Sequence, residues 1–313
     1  MSLSDNNNKI TPTEDNGARL RKWATYASVS TAAVLIVAKL IAYFLTDSVS
    51  LLSSLMDSTM DAFASIVMMI GVHHAVRPAD EDHRYGHGKF EALASMTQAV
   101  FIAGSGVFLI FESLHRFVSP QVIQNSMTGI WVMIFAIAMT FLLLVFQRYV
   151  IAKTNSVAIA ADSLHYKADL LINLAVIVAI LLSKFTLWPY FDPIFAIAIA
   201  VILMRGAWAI GQQSVDILAD KELSGEQRDR IYEIVLANPR VLGMHDLRTR
   251  TSGLRDFIEM HMELDGTMSV SDAHDISDEI EGMLHAEFPN AEIMIHQDPH
   301  GIKEARLDDR IPG

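Results

Sequence analysis

The sequence predicts an α-helical membrane protein, a six-helix transmembrane bundle followed by a small cytosolic α/β domain of order α-β-β-α-β. Three observations predict it. Of the 313 residues, 51% are hydrophobic, more than a soluble domain of this length usually carries. The apolar residues gather in six stretches long enough to cross a bilayer, which takes about 20 residues each. Beyond Gly211 the pattern changes to short amphipathic and alternating segments, the mark of a packed α/β domain.

Taken in order, the first 18 residues, MSLSDNNNKITPTEDNGA, are polar and Asn-rich. They lack the basic-then-apolar order of a signal peptide, so a disordered tail is expected over 1–18. A membrane domain then occupies 19–211, with apolar stretches at about 23–46, 50–76, 92–118, 128–151, 157–185 and 189–210. The fifth is polar at its start and strongly apolar only from Leu170, and a short turn at Trp188-Pro189 separates it from the sixth. Basic residues cluster on one side: Arg19, Arg21 and Lys22, then Arg77, Arg84 and Lys89, then Arg148 and Lys153. The other side has Arg116 and Lys184. That bias places both termini in the cytoplasm. The soluble domain, 212–300, opens with an amphipathic helix at about 224–237, between Ser224 and Asn238-Pro239. Alternating strands follow at about 245–251 and 256–264 around a Ser252-Gly253 turn, then a helix at about 270–287 and a strand at about 291–297. Residues 301–313 read as a flexible tail.

The composition narrows the chemistry. There is no cysteine, so disulfides and thiolate metal sites are excluded. Metal binding would fall to the 12 His and the carboxylates. The 16 Met read as packing in apolar helices. Residues 1–211 hold 14 acidic and 14 basic residues, whereas 212–313 hold 22 acidic and 10 basic, giving 10 − 22 = −12. An acidic domain disfavours nucleic acid and anionic lipid, and suits cations.

The strongest signal is carboxylate where lipid should be. Asp57 and Asp61 in the second stretch share a helical face, as do His165 and Asp169 in the fifth, because an i,i+4 pair sits about 6 Å apart at Cβ. Each ionised group at membrane depth costs about 3 kcal/mol on insertion scales. If the two faces meet, one imidazole nitrogen and three carboxylate oxygens suit a tetrahedral Zn²⁺. The same set would accept Cd²⁺, Fe²⁺ or Co²⁺. Asp162, three residues before His165, fits an entrance or supporting group better than a fifth ligand. Clustered carboxylates and a His also hold protons, and metal binding needs deprotonated ligands, so metal/proton exchange is expected. Two further clusters stand outside the apolar stretches. Asp80, His83 and His87 lie in the connection RPADEDHRYGHGKFEAL, where Gly86 and Gly88 permit a tight path. In the soluble domain His245, His261 and His296 fall on strands and His274 on a helix. His296 and Asp298, two apart on one strand, point to one face.

The DSTMD pair, the HxxxD pair in DSLHYKADL, the DEDHRYGHGK loop and the motifs HDLRTR and IHQDP together resemble the cation diffusion facilitators, specifically the bacterial zinc/iron efflux pumps of that family. The resemblance covers about 20–300. It implies a homodimer in a bacterial inner membrane with a metallochaperone-like cytosolic domain. With it, Zn²⁺ is expected as cargo and regulator and protons as counter-ion, with no organic cofactor and no nucleic acid. It implies Asp57, Asp61, His165 and Asp169 as the transport site, and Asp80, His83 and His87 as a loop site. It implies His245, His261, His296 and Asp298 as a cytosolic site at the dimer contact, with His274 as a further ligand. Lys89 and Asp220 match the family's charge interlock between bundle and cytosolic domain. Relatives that prefer manganese replace the His with another carboxylate or an amide, so His165 points to zinc-type metals. The rival readings are a membrane-anchored metal sensor and a passive divalent-cation channel. An enzyme is disfavoured, since catalytic zinc keeps an open position for water.

Overall fold

The computed structural model describes residues 12–46, 49–118, 127–186, 190–302 and 306–310. The chain forms two compact units, Met1–Val215 and Asp216–Gly313. The first is built from α1 (Pro12–Thr46), α2 (Val49–Ala75), α3 (Lys89–Val118), α4 (Met127–Thr154), α5 (Val157–Thr186) and α6 (Phe191–Leu218), the last running on past its end.

One expectation differs here. Helix α1 opens at Pro12, inside the stretch expected to be disordered. Proline suits a first helical position, where its missing N–H is not needed. Residues 1–11 and the Trp188-Pro189 turn lie outside the described residues. All six expected helices form, and among the described residues five of them, α1, α2, α3, α4 and α6, are long and apolar enough by length and composition to cross a membrane. The 30-residue α5 matches them in length, but Asp162, His165, Lys167 and Asp169 crowd its first half. It packs against α3 and α4 as part of the bundle.

The bundle carries its large apolar side chains outward. Phe44, Leu45, Phe108, Phe111, Trp131 and Trp208 are all exposed, the arrangement lipid rewards. Inside are small and polar residues, including Ala32, Ser65, Ser95, Gln98, Gln147 and Asp162. Small residues let helix backbones approach, and buried polar groups join them. The tightest approach is at Gly71 of α2, where a Cβ would lie 2.4 Å from the Cβ of Ala94 in α3.

Within the bundle a polar network links four helices. On α5, Asp162 accepts hydrogen bonds from Ser28 of α1 (2.5 Å) and Gln147 of α4 (2.8 Å). Tyr166, one turn further along α5, donates to the Ser28 carbonyl (3.0 Å) and pairs with Ser65 of α2 (2.9 Å). A second buried group fastens the two-residue α4–α5 link. Glu91 of α3 accepts from Ser156 (2.5 Å) and lies 3.5 Å from Arg21, which itself donates to the Thr154 carbonyl.

The second unit follows the expected order: α7 (Gly225–Leu236), β1 (Gly243–Thr251), β2 (Asp256–Leu264), α8 (Val270–Glu287) and β3 (Ala291–Pro299). Ser224 and Gln227 cap α7 reciprocally. The sheet order is β1-β2-β3, with β2 antiparallel to β1 and parallel to β3. Alternation along β2 sends Ile258, Met260, Met262 and Leu264 into a core with Ile231 and Val235 of α7 and Ile276, Ile280 and Leu284 of α8. The intervening His261 and Glu263 therefore face away from the helices. A register shift between His245 and Arg248 bulges β1, with Asp246 in the left-handed region at φ 53°. Within the stretch expected to be a flexible tail, the described residues 306–310 contact the sheet. Arg306 bonds Glu263, and Asp308 exchanges two hydrogen bonds with Asp246.

Gly71→Ala should lower the thermal stability of the detergent-solubilised protein by about 1–3 kcal/mol, the usual cost of overpacking. A melt unchanged from wild type would show that α2 and α3 part without cost.

Candidate metal centres

Three clusters of His and carboxylate bring their donor atoms within 4.8 Å of one another: Asp61 with His165 and Asp169, Asp80 with His83 and His87, and His245 with His261 and Asp298. Each is a mixed nitrogen and oxygen set suited to a divalent transition metal.

The first lies inside the bundle. Helix spacing stacks His165 and Asp169 on one face of α5, and α2 presents Asp61 to them. His165 Nε2 stands 3.1 Å from Asp61 Oδ1 and 3.9 Å from Asp169 Oδ2. This buried nitrogen makes no well-formed hydrogen bond among the described residues, so it is an orphaned donor or acceptor facing two carboxylates. A cation between them would satisfy all three. Asp57, expected as a fourth ligand, is exposed and outside this cluster. Four residues of helix carry it about 6 Å along the axis, so it flanks the triad instead of joining it. Asp162 is likewise outside the cluster. It is wholly buried and committed to Ser28 and Gln147, which makes it a support for α5 and not an entrance group.

Sequence reasoning missed Lys39. This α1 residue donates to Ser58 Oγ (2.6 Å) and the Ser54 carbonyl (3.1 Å) of α2. Its ammonium acts electrostatically on Asp61, Asp169 and Asp57. The signal was present, a lone Lys inside the apolar run VLIVAKLIAYF, since a charge at that depth needs a partner.

The second cluster sits on the α2–α3 connection. Asp80 Oδ1 accepts the backbone N–H groups of Asp82 (3.1 Å) and His83 (2.7 Å), a turn closed on its own side chain. The His83 backbone N–H holds the Asp80 carboxyl below the usual carboxylate range, so it stays charged through neutral and mildly acidic pH. Gly86 takes the turn at φ 80°, and Gly88 is not in that region. His87 Nδ1 lies 3.2 Å from the Pro78 carbonyl. A carbonyl only accepts, so Nδ1 carries the proton, and Nε2, 3.2 Å from Asp80 Oδ2, is placed to share a cation or a second proton with that carboxylate.

The third cluster is a product of sheet register. His245 pairs with His261 across β1–β2, and His261 with His296 across β2–β3, so three imidazoles line up on the face opposite the helices. Their ring centroids are 5.1 and 4.6 Å apart. Asp298 serves both sides. Its Oδ2 is 2.8 Å from His261 Nδ1 and 3.5 Å from His245 Nε2, and its Oδ1 is 3.2 Å from His296 Nε2. His274 does not join them in this chain. It is 68% exposed on α8, beside Asp278 at 3.7 Å, and α8 covers the opposite face of the sheet. Glu263, also unanticipated, stands behind His245 at 3.2 Å from Nδ1. Burial alone would raise its carboxyl, but the His300 hydrogen bond and the Arg306 guanidinium hold it below the usual range. Of the residues expected to interlock, Lys89 opens α3, and Asp220, in the left-handed region at φ 55°, lies 3.6 Å from Arg250.

Two family models match the chain. "Cation efflux transmembrane domain" covers 25–219, and "Cation efflux protein, cytoplasmic domain" covers 223–300. The chain is 45% identical over 278 residues to a protein of Shewanella oneidensis named cation-efflux pump FieF, a match covering 89% of this chain and 94% of that one. It is 42% identical over 285 residues to a Pectobacterium atrosepticum protein of the same name, covering 90% and 94%. A Yersinia enterocolitica protein so named is 40% identical over 288 residues, covering 91% and 95%.

Asp80→Asn removes the charge that both loop imidazoles face. Zinc binding at the loop, followed by exchange protection of residues 80–87, should weaken by roughly tenfold or more, about 1.4 kcal/mol. Undiminished protection would mean the loop histidines bind without it.

Proposed function

This chain belongs to the cation efflux family of multi-pass membrane transporters, and from that premise we propose that it exports divalent transition metal, zinc foremost, in exchange for protons. The observation that supports this most is the Asp61–His165–Asp169 cluster within the bundle. It offers one imidazole nitrogen and carboxylate oxygens, and Asp57 flanks it one turn along α2.

Charge favours a divalent cargo. A doubly charged cation and the Lys39 ammonium together balance the three carboxylates Asp57, Asp61 and Asp169. A monovalent ion would leave the loaded site one negative charge in excess, in a medium where charge is costly. The imidazole favours zinc, cadmium or ferrous iron over magnesium and calcium, which take oxygen ligands.

Exchange follows from the same donors. The metal needs lone pairs that protons also occupy, so each expels the other. Alternating exposure of the site to the two sides of the membrane turns that competition into counter-transport. The Asp80–His83–His87 cluster captures cation from the cytoplasm. The His245–His261–Asp298 cluster, with His296 beside it, senses cytosolic metal and biases the transport equilibrium through differential affinity. The working unit is a homodimer in a bacterial inner membrane with both termini cytoplasmic, in keeping with the basic residues near the cytoplasmic ends of the helices.

Purified protein reconstituted in liposomes should take up zinc only when the opposing side is more acidic or can supply protons. His165→Ala and Asp61→Asn should each cut that flux by roughly 100-fold or more, about 2.7 kcal/mol. Flux indifferent to the pH gradient would indicate a passive channel, and flux retained in both variants would remove the site. Lys39→Met leaves the loaded site one negative charge in excess. Its zinc turnover should fall by roughly tenfold while its apparent zinc affinity does not weaken, because the lost ammonium repels metal. Equal turnover to wild type would show that Lys39 is only a helix-packing contact.

A further inference from the structure

The end of the chain grips one prospective ligand, His245, from two directions. His245 is buried in β1, with Nε2 toward Asp298 and Nδ1 toward Glu263 (3.5 and 3.2 Å). Glu263 is held in turn by His300 (2.6 Å), just past β3, and by Arg306 (2.5 Å). The next residue along β1 is held separately. Asp246 sits in a left-handed conformation at the bulge, donates its N–H to Asp308 Oδ2 (2.9 Å) and accepts the Asp308 N–H (3.0 Å) on its own carboxylate.

These contacts divide the work on one imidazole. The Asp246–Asp308 pair fixes the backbone bulge that carries His245. A bulge re-aims a side chain, and a non-glycine residue at positive φ persists only when its surroundings hold it there. Glu263 fixes the ring. A carboxylate beside Nδ1 selects the tautomer in which Nδ1 carries the proton, which frees Nε2 to meet a cation beside Asp298. Arg306 anchors that carboxylate to the same chain segment that supplies Asp308.

We propose that Arg306 and Asp308 form a strap that positions His245 for metal, so that docking of the C-terminal segment and cation binding at the His245–His261–Asp298 cluster strengthen each other. The inference rests on that cluster binding a divalent cation, as put forward above. The strengthening is mutual because linkage between two binding events is reciprocal. Arg306 and Asp308 are positioning residues and donate nothing to the metal.

The test uses the full-length protein in nanodiscs, titrated with zinc and followed by hydrogen exchange. In the wild type, zinc should slow exchange in peptides covering β1 and in those covering 306–310, with a common midpoint. In Arg306→Ala that midpoint in the β1 peptides should move to roughly 10–100-fold more zinc, the usual effect of losing a ligand's supporting partner. Asp308→Ala should move it in the same direction through a separate contact. Arg306→Lys should restore part of the shift, since it keeps the charge beside Glu263. Midpoints unchanged in both alanine variants, or zinc that speeds exchange at 306–310, would overturn the strap. Absence of any zinc response over β1 and β2 in the wild type would instead sink the metal reading of the cluster, and the strap with it.

Discussion

The central constraint is the cost of placing ionisable groups in a bundle whose outer surface is apolar. Asp61, His165 and Asp169 meet there within 4.8 Å, flanked by Asp57. At membrane depth such groups stay only where something balances them. Lys39 supplies one fixed positive charge, anchored on α2 through Ser58 and Ser54. In the proposed function a cation supplies the rest. Much of the surrounding helix packing can be read as the means of holding this set together. The Ser28–Gln147–Asp162 bonds and the Tyr166 contacts tie α1, α2 and α4 to the half of α5 that carries His165.

Below that level the chain uses two different ways to gather donors. In the bundle it relies on the helical repeat, which stacks residues four apart and leaves the meeting of two helices to tertiary packing. In the second unit it relies on the pleat. Because β2 buries Ile258, Met260 and Met262 against α7 and α8, His261 must emerge on the other face, and the strand register then places His245 and His296 beside it. The apolar core and the imidazole row are one pattern seen from two sides. A one-residue slip of β2 would lose both.

This explains what was legible in the sequence. Elements with a strong period were legible: the order of helices and strands in the second unit, and the stacking of His165 and Asp169 on one face of α5. What failed needed tertiary knowledge. Spacing put Asp57 on the right face of α2 but does not say which turn meets α5. His274 belongs to a helix on the far side of the sheet from the other histidines, which layer order decides and composition does not. Spacing set Asp162 apart as an entrance or supporting group, and only the contacts of Ser28 and Gln147 from other helices decide between the two. The last residues seemed featureless because the partners of Arg306 and Asp308, Glu263 and Asp246, lie more than 40 positions away.

The supports around the clusters differ in a way that matches what each must do. In the second unit His245 has behind it Glu263, a carboxylate outside the cluster that is itself anchored by His300 and Arg306. In the loop, His87 is aimed by the Pro78 carbonyl and Asp80 is fixed by two backbone donors. Among the described residues, the side-chain oxygens of Asp61 and Asp169 have His165 as their near partner and no backbone donor holding them. Rigid supports raise ligand basicity and affinity, which suits a site that must keep its cation. A site that must surrender its cation once per cycle gains from the opposite, because donors with few competing bonds can reorient around either a metal or protons. Under the proposed roles, the few competing bonds at Asp61 and Asp169 fit transport, and the anchored Glu263 beside His245 fits sensing.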